Sequence, residues 1–257
     1  MQRMASILGV FFFALGAACA SFAGVLAARL HTGQSWFAGR SRCDACGRAL
    51  PPGALVPLVS YVAARGRARC CGARISSLAP ISEAVLGSLF VLAYLSLGLS
   101  AALPFFLLAL VLLSALTLYD LAHSILPSAL LWPFVAAAGV AGFLGAASWH
   151  DFLQTALVAA LIALSLAAIH FFSRGRAMGL ADAPLALGLS LLTGAAAFPG
   201  FVFSFWIGAV VGIGLLLRRP AGSRMGVEVP FAPFLAAGFL LAYFTQWNPF
   251  LFIAAFH

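Results

Sequence analysis

Lysine is missing from this sequence and acids are scarce: six in 257 residues, so that only 8% of the chain is charged, against about a quarter in a soluble domain. That little charge cannot keep a folded domain in water, and a chain that is 64% hydrophobic cannot stay disordered either. Five cysteines are too few to build a secreted disulfide module of this length. All fourteen basic residues are Arg and the net charge is +8. A nucleic-acid binder would need that basic surface in water, on a soluble domain that the composition does not allow, so nucleic acid is excluded as a partner. What the sequence has instead is hydrophobic length, which makes the lipid bilayer its solvent.

A helix crossing the hydrocarbon core needs about 20 mostly apolar residues, and such windows recur along nearly the whole chain. About eight are counted, near 5–28, 79–98, 102–119, 128–147, 152–172, 183–198, 200–217 and 231–250. The fold class expected is therefore all-α, a polytopic membrane helix bundle with one small Cys-containing loop domain. Three regions follow: a first transmembrane helix over 1–30, an Arg- and Cys-rich loop over 31–78, and a membrane-embedded domain over 79–257. The sixth and seventh windows are short and separated only by Phe198-Pro199-Gly200, so a hairpin that stops short of crossing is the alternative there.

The first window also has features of a signal peptide, with Arg3 ahead of an apolar run and small residues around Cys19 and Ala20. Arginine placement argues for a retained span, because loops on the cytoplasmic side hold their positive charge near the membrane. With eight spans and the N-terminus outside, cytoplasmic loops hold eight Arg between Arg29 and Arg74, then Arg174 and Arg176, then Arg218, Arg219 and Arg224, which is thirteen of fourteen. The opposite loops near 98–102, 148–151 and 198–200 hold none.

Within the long loop, Cys43 and Cys46 form C-x-x-C in SRCDACGRAL, and Cys70 and Cys71 follow in GRARCCGARIS. Two Cys pairs about 20 residues apart are a zinc-ribbon signal, since each pair on a tight turn offers two thiolates to one tetrahedral ion. The second pair is adjacent, and neighbouring side chains diverge. A strained four-thiolate site and a site of three Cys with another ligand therefore both stand, as does a reading of plain reduced thiols. A metal would supply the folding free energy that so short and core-poor a segment lacks. Cys19, inside the first span, is read as a packing residue.

Acids in or beside membrane spans are costly, and their presence points to function. Asp120 ends the third span in LTLYDLAHSILPSALL, and Asp182 begins the sixth in RAMGLADAPLALGLSLL. In the topology above both lie at cytoplasmic helix ends, so two carboxyls 62 positions apart can meet at one depth. Two carboxyls in a poorly solvated site share a proton: one activates water while the other protonates the attacked carbonyl, the chemistry of aspartic proteolysis. Taken alone, Asp182 before Ala183-Pro184 also suits a helix cap, and Asp151 beside His150 reads as a loop or cap residue.

These segments together resemble the type IV prepilin peptidases, membrane aspartic proteases of bacterial pilus and type II secretion systems. The resemblance covers most of the chain: one span, a Cys-bearing cytoplasmic loop, GRARCCGARIS followed by Pro80 and Glu83, the YDL…ILP segment, the GLAD segment and VPFAPFLAAG. It implies Asp120 and Asp182 as the catalytic pair. It also implies a bacterial inner-membrane location with the active site facing the cytoplasm, and makes 79–257 a membrane-embedded aspartic peptidase domain. The implied substrates are type IV prepilin or pseudopilin precursors, cut after a Gly between a basic leader and an apolar helix. Many members also methylate the new N-terminus with S-adenosylmethionine. The chain shows no glycine-rich cofactor loop of the usual kind, and only the cytoplasmic loop and Glu83 are candidates for that role. Ser128 stands where the family often has an acid after Pro, Ala181 replaces a Gly before the second aspartate, Pro184 stands in place of a common Lys, and the third zinc cysteine is displaced. These departures mark a divergent member, one of relaxed substrate range or of weak catalysis.

Glu83 is alternatively a salt-bridge partner of Arg74 or a neighbour, and His123, one turn past Asp120 if helical, is read either as tuning the acid pair or as a polar interfacial side chain. Gly179 is expected to break the helix just before Asp182, with Gly175, Arg174 and Arg176 in a mobile cytoplasmic loop. Gly208, Gly212 and Gly214 read as helix-packing positions. Two other classes compete: an ion- or proton-coupled transporter, against which stand the lack of an evident repeat and acids near one face, and a non-catalytic assembly subunit.

Overall fold

The computed structural model of the chain describes residues 2–32, 41–43, 45–51, 53, 56–217 and 230–249. Arg40, Arg218, Arg219 and Arg224, on which part of the topology argument rests, lie outside the described residues, as does the end of the eighth expected span. The described residues form helices α1 (Gln2–Thr32), α2 (Val59–Ala63), α3 (Leu78–Leu97), α4 (Leu103–His123), α5 (Ser128–Gly145), α6 (Trp149–Ser173), α7 (Asp182–Thr193), α8 (Ala197–Leu217) and α9 (Ala232–Thr245). A 3-10 turn at Gly194–Ala196 joins α7 to α8. No strand is present among them, only two isolated antiparallel bridges. Each apolar window of the sequence is thus a helix. Six helical runs are long and apolar enough to cross a membrane, with α7 and α8 counted as the single run Asp182–Leu215 and α9 shorter. This fits a multi-pass membrane protein.

The chain divides into two compact units, Met1–Leu99 and Ser100–His257. In the N-terminal unit α1 packs along α3. The two backbones approach at a pair of glycines: a Cβ on Gly16 would sit 2.7 Å from the Leu86 carbonyl oxygen, and one on Gly87 would sit 2.9 Å from that of Phe13. Small residues at a crossing let apolar helices gain dispersion contacts that lipid cannot match. Phe12 stacks on Tyr94 farther along the same seam, with ring centroids 4.8 Å apart.

In the C-terminal unit α7 is the inner helix, touching α5, α6, α8 and α9. It is apolar on nearly every face, with Leu185, Ala186, Leu189 and Ser190 fully buried, as a helix enclosed by others must be. Its 12 residues make about 18 Å at 1.5 Å per residue, short of the roughly 30 Å hydrocarbon core. The helix stops at Gly194, where φ is +59°. The break expected at Phe198-Pro199-Gly200 therefore comes earlier: Pro199 lies in the first turn of α8, where a missing N–H costs nothing. Close helix contact also falls at glycines other than those expected. A Cβ on Gly142 would overlap the Leu191 carbonyl and one on Gly238 the Ser204 backbone, while Gly208 faces Phe231, and Gly212 and Gly214 meet no described atom within 4 Å. Helical spacing of small residues does not say which face another helix covers.

Candidate active site and metal centre

Asp120 lies in the last turn of α4, which ends at Ser124 in left-handed conformation (φ 53°). A carboxylate there opposes the dipole of its own helix. The offset comes from another helix: the backbone N–H of Ala232, first residue of α9, donates to Asp120 Oδ2 at 3.1 Å across 112 positions of sequence. Pro233 at the second position of α9 pre-sets this helix start. Asp182 is the first residue of α7, and its Oδ2 accepts the Gly179 N–H at 3.2 Å. In return the Asp182 N–H donates to the Gly179 carbonyl at 3.3 Å. It is not the cap of α7, a position held by Ala181.

Helix α9 packs against both α4 and α7, and this brings together the two acids that the sequence singles out. Asp120 is 5% and Asp182 7% exposed, and the carboxylates are near enough to feel each other's charge. Each has one oxygen held by a backbone N–H. His123 continues α4, its ring 4.6 Å from that of Tyr119. Asp151 is a helix-start residue: its N–H donates to the Ser148 hydroxyl, and that hydroxyl donates to its carboxylate at 2.8 Å.

The four cysteines of the N-terminal unit also converge. Cys43 Sγ lies 3.7 Å from Cys71, Cys46 lies 3.4 Å from Cys70, and Cys70 lies 3.9 Å from Cys71. All four sulfurs fall within 4.8 Å of one another. A tetrahedral zinc with bonds of 2.3 Å has sulfur–sulfur edges of roughly 3.8 Å, so this donor set fits the ion, and four thiolates rather than three are at hand. The adjacency of Cys70 and Cys71 is accommodated by a tight turn with Gly72 at φ +73°.

The turns repeat each other. The bridge Arg42–Ala49 closes the first, and Arg67–Arg74, 25 positions later at both ends, closes the second. Cys43 N–H to the Arg48 carbonyl (2.9 Å) and Gly47 N–H to the Cys43 carbonyl (2.8 Å) match Ala68 to Ala73 (2.8 Å) and Gly72 to Ala68 (2.7 Å). Cys46 then corresponds to Cys71, Cys43 corresponds to Ala68, and Cys70 supplies its thiol from two positions on. The backbone N–H groups of Cys46 and Ala45 stabilise the Cys43 thiolate and lower that thiol to about 7. Hydrogen bonds to Cys46 and Cys43 hold the proton on Cys70 and push it up to about 12. Thiols this close resist ionising together, a conflict that a divalent cation removes.

Glu83 does not pair with Arg74: its Oε2 accepts the Leu58 N–H at 2.8 Å. Leu58 sits at φ 58°, ψ −50°, and Val59 N–H reaches back to the Pro57 carbonyl, a strained γ-turn tied to α3.

The helix-start signal of Pro233 was available in the sequence, but not which carboxylate that helix would serve. Likewise Gly179 could be read as a break, but not as the donor to Asp182.

Residues 14–97 match the model of the Bacterial Peptidase A24 N-terminal domain. Among curated proteins the chain is 34% identical over 252 residues to the prepilin leader peptidase/N-methyltransferase of Bacillus subtilis (strain 168), covering 93% of this chain and 94% of that one. It is 35% identical over 223 residues to the protein of the same name from Myxococcus xanthus (strain DK1622), covering 85% and 66%. To that of Dichelobacter nodosus it is 31% identical over 210 residues, covering 78% and 69%. No solved structure matches.

Proposed function

Because the chain belongs to the prepilin leader peptidase/N-methyltransferase family, we propose that it is a membrane aspartic endopeptidase in which Asp120 and Asp182 cut the leader from prepilin-like precursors. The observation that carries this reading is the convergence of two buried acids from the ends of α4 and α7, each with one oxygen held by a backbone N–H. The second oxygen of each is left for water and substrate. One carboxyl is protonated and the other ionised. The ionised one takes a proton from a water, whose oxygen bonds to the scissile carbonyl carbon, while the other delivers its proton to the carbonyl oxygen. The tetrahedral adduct collapses as the leaving amine takes up a proton, breaking the C–N bond and restoring the pair.

The substrate class is a precursor with a short basic leader, a Gly before the cut and an apolar first helix, processed at the cytoplasmic face of the bacterial inner membrane. The Arg distribution of the sequence supports that orientation. Cys43, Cys46, Cys70 and Cys71 would hold a zinc ion that locks the two turns together, a structural role outside the hydrolysis. For S-adenosylmethionine the fit is poor. Glu83, the acid the sequence offers, is buried and spends an oxygen on the Leu58 N–H, as a fold contact does, and no methylation step is derived through it.

The test is leader release from a purified prepilin by the full chain in detergent. Asp120→Ala and Asp182→Ala are each expected to abolish it, while Asp151→Ala retains it. Cleavage surviving in either of the first two would remove the pair from the mechanism.

A further inference from the structure

The segment between α6 and α7 is knitted to the end of α6. Gly175 N–H donates to the His170 carbonyl at 2.8 Å and Arg174 N–H to that of Phe171 at 3.1 Å, with Arg174 left-handed at φ 54°. This is the double closure of a Schellman end. The Ser173 hydroxyl accepts the Ala177 N–H at 3.2 Å, and a Cβ on Gly175 would lie 3.2 Å from the His170 ring. The chain thus folds back over His170 instead of leaving it. At the far end of this fold-back, His170 Nδ1 lies 2.9 Å from the Met178 carbonyl oxygen. A carbonyl only accepts, so Nδ1 carries the proton.

The next atom along the backbone from that carbonyl carbon is the Gly179 nitrogen, whose N–H donates to Asp182 Oδ2. A trans peptide is planar, with C=O and N–H pointing opposite ways. Gripping the oxygen therefore fixes the direction of the N–H, and a donor on the oxygen polarises the amide so that its N–H donates more strongly. The geometry points to His170 as a positioning residue: through one peptide plane, Met178–Gly179, it aims the hydrogen bond that orients the Asp182 carboxylate. The inference rests on the reading of Asp182 as one of the reacting acids.

The experiment measures kcat and KM for leader release from a synthetic prepilin with a basic leader, a Gly and an apolar helix. It compares the full-length chain in detergent with His170→Ala, His170→Asn and Asp182→Ala. Misaiming a reacting group by about 1 Å costs on the order of 10²-fold. His170→Ala is therefore expected to lose up to that factor in kcat with KM within about twofold. His170→Asn, whose side-chain amide nitrogen occupies the place of Nδ1, is expected to recover most of it. Asp182→Ala is inactive. Wild-type kcat in His170→Ala beside an inactive Asp182→Ala overturns the clamp and leaves the acid pair standing. Equal losses in the Ala and Asn variants with a lowered melting temperature also overturn it, since that is what a merely structural histidine would give. Cleavage by Asp182→Ala removes the reading on which the inference rests.

Discussion

The thiol cluster and the carboxylate pair draw together a few side chains by different means. Four thiols come from two turns that repeat each other 25 positions apart, each closed by its own backbone hydrogen bonds and a glycine at positive φ. Two carboxylates come from helix ends 62 positions apart and owe their meeting to α9, which touches both helices and donates to one acid. The first assembly is local, and its four crowded thiols could hold a metal ion. The second is made by packing in a largely apolar setting. Local assemblies survive changes in the sequence around them, whereas packed ones depend on distant contacts.

The largest effect expected is at the carboxylates. Asp120→Ala and Asp182→Ala should abolish leader release while bound zinc, measured by atomic emission, stays at about one per chain; loss of zinc in either would break the separation drawn above. Next, Cys43→Ser with Cys46→Ser, or stripping with a strong chelator, should take zinc to none and make residues 41–77 a protease target, because a bound ion would supply the folding free energy of that segment. A metal-free wild-type chain with a protected segment would mean that the turns hold by themselves. Smaller is Gly142→Ala, which puts a Cβ onto the Leu191 carbonyl of the inner helix and should cost about 1–3 kcal/mol of stability, read as a lower melting temperature. No change would show that α5 and α7 have room to spare. The smallest effect tests the repeat: Ala68→Cys with Cys70→Ala moves the thiol to the counterpart of Cys43 and should keep zinc, while Cys70→Ala alone loses it. Failure of the double variant to bind would mean the matching backbones do not define the ligand position.

Helix placement was legible in the sequence because bilayer length is a coarse and strong signal. Each apolar window became a helix with ends displaced by a few residues. Where two signals competed, the weaker one won: Pro199 and Gly200 look like a break, yet Gly194, with its positive φ, makes it. The acids stood out because acids are so few. Their partners did not, since the Ala232 and Gly179 N–H groups are backbone, carried by every residue but proline, and only tertiary packing decides which ones meet a carboxylate. The four cysteines named from the sequence do converge, but the turn that lets adjacent Cys70 and Cys71 face one point, with Gly72 at positive φ, was not legible, because side chains diverge only from an extended backbone.

The shortness of α7 bears on the membrane itself. A bilayer that thickens or thins does work on the helices that touch its acyl chains, which answer by tilting or by distorting the lipid. From Asp182 to Thr193 only Pro184, Leu187 and Leu191 are partly accessible and none is exposed, so this helix offers little surface for lipid to act on. Mismatch then falls mainly on the helices around it, and the Asp182 carboxylate is carried on a helix largely enclosed by others. Leader release in vesicles of different chain length should then vary with how the outer helices admit the substrate, and little with the geometry of the acids.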